Sequence, residues 1–139
     1  MKRVGISIAV AALTLLATRS TALADVIDSG HTVTTNVVAN PCDTADGPIT
    51  ITTDTRWETR LQPDGTVISH FLNHSEGVSA NGTKYIANRQ ATTTTAAGST
   101  ITAVDVEIRR VSAGPGPNAM ITVTGTIPGS LITTVRCVG

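Results

Sequence analysis

Ile49-Thr50-Ile51-Thr52-Thr53-Asp54-Thr55-Arg56-Trp57-Glu58-Thr59-Arg60-Leu61 alternates from end to end. Its odd positions carry Ile49, Ile51, Thr53, Thr55, Trp57, Thr59 and Leu61, and its even positions carry Thr50, Thr52, Asp54, Arg56, Glu58 and Arg60. A period of two places one set on each face of a β-strand, whereas a helix would scatter the four charges around its circumference. The strand exceeds the usual length of about five or six residues, and it holds the only tryptophan of the chain. A long strand with one apolar face needs neighbours on both sides.

Downstream, Gln62-Pro63-Asp64-Gly65-Thr66 predicts a hairpin, because Pro presets a turn and Gly accepts positive φ. Val67 to Asn73 then returns as the antiparallel partner, and a polar loop is expected from Asn73 to Gly82. A further strand begins near Thr83 with Lys84-Tyr85-Ile86. Ala96-Ala97-Gly98-Ser99 turns into Thr100 to Val111, where Val104, Val106 and Ile108 oppose Asp105, Glu107 and Arg109. The loop Gly114 to Asn118 separates this from Met120 to Ile127, and Pro128-Gly129-Ser130 turns into Leu131 to Cys137. Upstream, Thr32 to Ala39 reads as a first strand, stopped by Asn40-Pro41-Cys42-Asp43. These are about seven strands with short connections. Short links imply antiparallel neighbours, since a parallel crossover takes a dozen residues or more. The expected fold is all-β, an antiparallel meander closing into a small β-barrel, with a β-sandwich as the alternative.

Lys2 and Arg3, the apolar run Val4 to Ala17 and the small residues of Ala22-Leu23-Ala24 form the three-part pattern of a secretory signal peptide. The apolar run is shorter than the ~20 residues that span a bilayer. Residues 1–24 are therefore expected to be removed, leaving residues 25–139 as one secreted β domain. Extracellular release is expected, or periplasmic release if the source has an outer membrane. The full chain has ten Lys and Arg against ten Asp and Glu. Lys2, Arg3 and Arg19 leave with the signal, so the balance becomes seven against ten. A mildly acidic domain without a basic stripe speaks against nucleic acid, and no membrane insertion of the mature chain is expected. Cys42 and Cys137, the only two cysteines, are expected to pair in an oxidising compartment.

The landmarks Asn40-Pro41-Cys42, His70-Phe71, Gly82-Thr83-Lys84-Tyr85, Gly114-Pro115-Gly116-Pro117-Asn118 and Cys137 resemble those of a group of small secreted bacterial proteins of unknown function. The resemblance covers most of the mature chain, which departs from the group in a shorter C-terminal hairpin and fewer aromatic residues. It implies secretion, a disulfide and a β fold, and no mechanism.

Chemistry offers few constellations. His70 and His74 are four apart, which on a strand is about 13 Å and too far for one metal ion. His31 has no evident partner. No G-x-S-x-G is present, and the carboxylates of Asp54, Glu58, Asp105 and Glu107 share faces with Arg56, Arg60 and Arg109, as in exposed ion-pair ladders. No catalytic residue, metal or cofactor is therefore assigned. Thr50/Thr52 and Thr122/Thr124/Thr126 resemble the hydroxyl arrays of ice-binding sheets, a second reading, although Thr is favoured in any strand. The principal expectation is non-catalytic binding of a small apolar ligand or an extracellular protein, or a cell-surface role. Trp57, Thr53, Thr55, Phe71 and Tyr85 are the candidate ligand-binding residues. An enzyme with a small site at the barrel mouth is the alternative.

Overall fold

The computed structural model describes residues 23–139. The expected signal peptide lies outside the described residues apart from its last two positions. Seven strands follow in chain order: β1 (Asp25–Val38), β2 (Ile49–Leu61), β3 (Val67–Ser79), β4 (Lys84–Thr95), β5 (Thr102–Ser112), β6 (Asn118–Ile127) and β7 (Leu131–Val138). A 3-10 turn at Thr44–Asp46 lies between β1 and β2. The strands form one sheet in the order β1-β2-β3-β4-β5-β6-β7, each antiparallel to the next.

This is the expected meander, and the pairing of β2 with β3 starts at the predicted turn. Gln62 N–H donates to Thr66 O at 2.8 Å, and Gly65 takes the positive φ of 84° that the turn demands. The sheet, however, is not closed. β1 and β7 pair only with β2 and β6 and stand as its two edges, in place of the barrel expected from the sequence. The edges are also unequal, with 14 residues in β1 and 8 in β7, so β7 could match little more than half of β1.

Two boundaries differ from expectation for a shared reason. β1 starts at Asp25 instead of Thr32, through Asp28, Ser29 and Gly30, which are poor strand formers. Tertiary contacts override that preference. Gly30 is the register partner of Trp57, and a Cβ there would overlap the indole ring. Trp57 Nε1–H donates to Asp28 Oδ2 at 2.9 Å, which fixes the ring across β1. β3 runs on to Ser79, through the segment expected as a loop. Its inward polar groups bond across the sheet: Asn73 Nδ2–H donates to Thr55 Oγ1 at 3.0 Å, and the Thr53 and Ser75 hydroxyls are 2.8 Å apart. Cross-strand polar pairs hold this half of the strand without an apolar pattern.

The register aligns the inward residues in rows that cross all seven strands. One row is Thr34–Thr53–Ser75–Ala87–Arg110–Ala119–Cys137, and the next is Thr32–Thr55–Asn73–Arg89–Ile108–Ile121–Val135. The third is Gly30–Trp57–Phe71–Ala91–Val106–Val123–Thr133.

At the end beyond the first row, the β1–β2 connection folds over the interior and plugs it. Asn40 Nδ2–H donates to the Tyr85 hydroxyl at 2.9 Å, Tyr85 donates to Asp46 Oδ2 at 2.7 Å, and Arg110 Nη1–H donates to Ala39 O at 2.9 Å. The Cys42–Cys137 disulfide ties the same connection to β7 across 95 residues of chain. A closed loop of that length is worth about 4–5 kcal/mol through the unfolded chain. The fully buried side chains Ile49 and Tyr85 sit here, with Ile51, Ala87 and Val38 packed around them. Towards the opposite end the inward side chains are only partly covered: Trp57 and Thr59 are half-buried, and Leu61, Ile127 and Leu131 are exposed.

Candidate functional site

Beside the plug, the concave face holds a hollow of about 420 Å³. That falls within the roughly 300–1,000 Å³ of typical small-molecule sites. Its position follows from the alternation of five strands. β3, β4 and β5 contribute an apolar floor of Phe71, Ala91, Val104 and Val106, while β1, β2 and β4 bring the polar wall of Thr34, Asn36, Thr53, Thr55 and Thr93. Asn73 and Arg89, register partners on β3 and β4, complete the lining. Short threonine side chains leave the space, and their methyl groups keep its wall partly apolar.

Of the candidates taken from the sequence, Thr53, Thr55 and Phe71 line this hollow together. Trp57 is the register partner of Phe71 but lies outside the lining, engaged with Gly30 and Asp28. Tyr85 is 1% exposed and belongs to the plug. Arg89, Asn73, Thr34 and Asn36 were not anticipated. For Arg89 a signal existed: inward positions of β4 read Tyr85, Ala87, Arg89, Ala91, Thr93 and Thr95, so one cation interrupts a face of small and apolar groups.

Among the described residues Arg89 is the only ionisable side chain in the lining, so no second ionisable group stands beside it in the hollow. Asn73 adds an unmet demand. Its amide nitrogen is spent on Thr55, and its buried Oδ1 has no hydrogen-bond partner, a state that costs about 1–3 kcal/mol.

The plug holds a second polar group. Burial raises the pKa of Asp46, but hydrogen bonds from Tyr85, Ser79 and Thr83 outweigh burial and hold it below the ordinary carboxylate range. Burial, and then the bond to Asp46, pushes the Tyr85 phenol up. Burial pulls Arg110 down from its ordinary value; as a guanidinium it stays charged at neutral pH. Its Nε is buried without a partner.

On the convex face His31 gains a partner that the sequence did not reveal, with its Nε2 3.0 Å from Asp54 Oδ2. That hydrogen bond holds Asp54 below its usual pKa. His70 and His74, both on β3, bond to different residues of β4, Thr92 and Asn88. Among the described residues no group of three or more His, Cys, Asp or Glu converges as a metal site would require. Arg109 sits 2.7 Å from Glu107, and Arg60 contacts Glu58, as exposed ladders do. Thr50 and Thr52 stand on β2 and Thr122, Thr124 and Thr126 on β6, with three strands between them.

Comparisons with protein-family models, with curated protein sequences and with solved structures found no match to this chain.

Proposed function

We propose that this chain is a secreted, non-catalytic binding module, and that the hollow on its concave face takes a compact ligand with an apolar body. The observation that carries the reading is the hollow itself: an apolar floor under a wall of hydroxyls, about 420 Å³ in volume. Rigid strands hold its lining, so little conformational freedom is lost on binding. The disulfide and the plug support the same reading, because they keep the hollow shaped without requiring the sheet to close.

Secretion rests on the signal-peptide pattern before Asp25 and on a disulfide that persists only in an oxidising compartment. Mass spectrometry of exported protein should give an N-terminus at Asp25. Binding is tested with the disulfide-intact protein and compact ligands having apolar bodies, such as octanol and octanoate, followed by calorimetry and thermal melting. A ligand that binds only the native state must raise Tm. Val104→Phe, which narrows the hollow at its floor, should abolish the shift. The binding reading fails if no such ligand moves Tm, or if Val104→Phe leaves the shift intact.

A further inference from the structure

We infer that the ligand of this hollow carries a carboxylate, and that the Arg89 guanidinium is its anchor. This inference rests on the binding reading above and adds a chemical class to it. The starting observation is a pattern among the arginines. Arg56, Arg60 and Arg109 stand on the convex face, and each contacts a carboxylate two residues earlier on its own strand: Asp54, Glu58 and Glu107 respectively. That spacing returns a side chain to the same face of a strand.

Arg89 has no such arrangement. Two residues away on either side stand Ala87 and Ala91, and its register partners are Asn73 on β3 and Ile108 on β5. No carboxylate lies within ion-pair distance of it among the described residues. Lys84 and Arg136 also lack such a partner, but both stand on the convex face in open water. Arg110 shares the concave face, yet it is buried in the plug and committed to Ala39 O.

Among the described residues Arg89 is thus the one exposed cation of the concave face. The inward carboxylate of Asp28 lies two rows away, already bound to the Trp57 indole. A charge that lines a cleft has its field concentrated there by the low-dielectric protein around it. An arginine fork matches a carboxylate in two parallel hydrogen bonds. A phosphate dianion would call for more donors than one accessible guanidinium supplies. The floor of Phe71, Ala91, Val104 and Val106 begins one row further on, so a bound molecule would place its charge at Arg89 and its carbon chain over the floor.

The experiment compares octanoate with octanamide and octanol, of similar length but uncharged, on wild type, Arg89→Gln and Arg136→Gln. Arg136→Gln removes the same charge from the convex face. Octanoate should bind wild type most tightly, and Arg89→Gln should weaken it roughly tenfold or more. Arg136→Gln should change it little, and the neutral probes should bind wild type and Arg89→Gln alike. Circular dichroism and Tm check that Arg89→Gln is folded; Arg89→Lys, which keeps the charge but loses the fork, should fall between. If octanamide or octanol binds wild type as tightly as octanoate does, or Arg89→Gln leaves octanoate unchanged, the carboxylate inference is overturned while the binding reading stands. If none of the three probes binds, both fall.

Discussion

The two ends of the sheet are built from the same seven strands and behave as different materials. At the plugged end, inward side chains are tightly covered: Ile49 and Tyr85 are 0% and 1% exposed, and Asn40, Asp46, Ser79 and Arg110 are buried with them. At the open end, Leu61 is 39% and Ile127 52% exposed on the same face. The alternation along β2 is equally regular at both ends, so strand pattern does not cause the difference. The cause is the β1–β2 connection, which crosses the interior at one end only and is locked there by the disulfide. Stability is concentrated where the connection lies, and space is left where it does not. The hollow occupies the boundary between the two regimes.

The largest effect should come from cutting the lock. The double variant Cys42→Ser/Cys137→Ser should lose about 4–5 kcal/mol in urea denaturation. If its loss is under about 1 kcal/mol, the plug is held by packing alone and the contrast between the ends needs another cause. Next comes a matched pair of aromatic truncations, one at each end. Tyr85→Ala, in the plug, should cost about 3–5 kcal/mol. Trp57→Ala, half-buried near the open end, should cost roughly 1–2 kcal/mol. Equal losses would erase the distinction between the ends.

Acid should weaken the fold in a definite direction, through Asp46 in the plug and Asp54 on the convex face. Asp46 and Asp54 are held below the ordinary carboxylate range when folded, so the folded chain binds fewer protons than the unfolded chain. Their contribution is fully present above the unfolded value of about pH 4 and is lost as pH falls through the folded values. Tyr85 gives the opposite limb, with a contribution present below about pH 10 and lost as pH rises through its raised value. Asp46→Asn should flatten the acid limb of a stability-against-pH profile, whereas an unchanged limb would remove Asp46 from the account. The smallest effect is expected on the convex face. Arg56→Ala, whose guanidinium lies 3.8 Å from Asp54, should cost under about 1 kcal/mol in the same assay.

What could be read from the sequence follows from how each feature is encoded. The β2–β3 hairpin is local: strict alternation on both sides of Pro63-Asp64-Gly65 defines it without the rest of the fold. The C-terminal half of β3 escaped because Asn73, Ser75 and Ser79 look like loop residues until their partners across the sheet are known. The start of β1 escaped for the same reason, since Gly30 is a strand residue only because an indole lies over it. The two cysteines were readable as a pair, but not the path of the connection that carries Cys42. That path decided that Tyr85 would be in a plug and not in a ligand site. Thr53 and Thr55 were placed on the inner face by period alone, whereas Phe71 was named as an aromatic candidate without a face. Arg89 had a readable signal, a cation on the small-residue face of β4 with no acid at the spacing used by Arg56, Arg60 and Arg109. Its meaning emerged only when that face proved concave and open.

The contrast between the ends is tested most directly by native-state amide hydrogen exchange along β2 and β4, strands that run from one end to the other. Amides near Ile49, Ile51, Tyr85 and Ala87 should exchange only through global unfolding, with protection equal to the full stability. Those near Trp57, Thr59, Thr93 and Thr95 should exchange through smaller openings, with protection rising steadily towards the plug, and reduction of the disulfide should erase that gradient. Uniform protection along both strands, unchanged by reduction, would contradict the account.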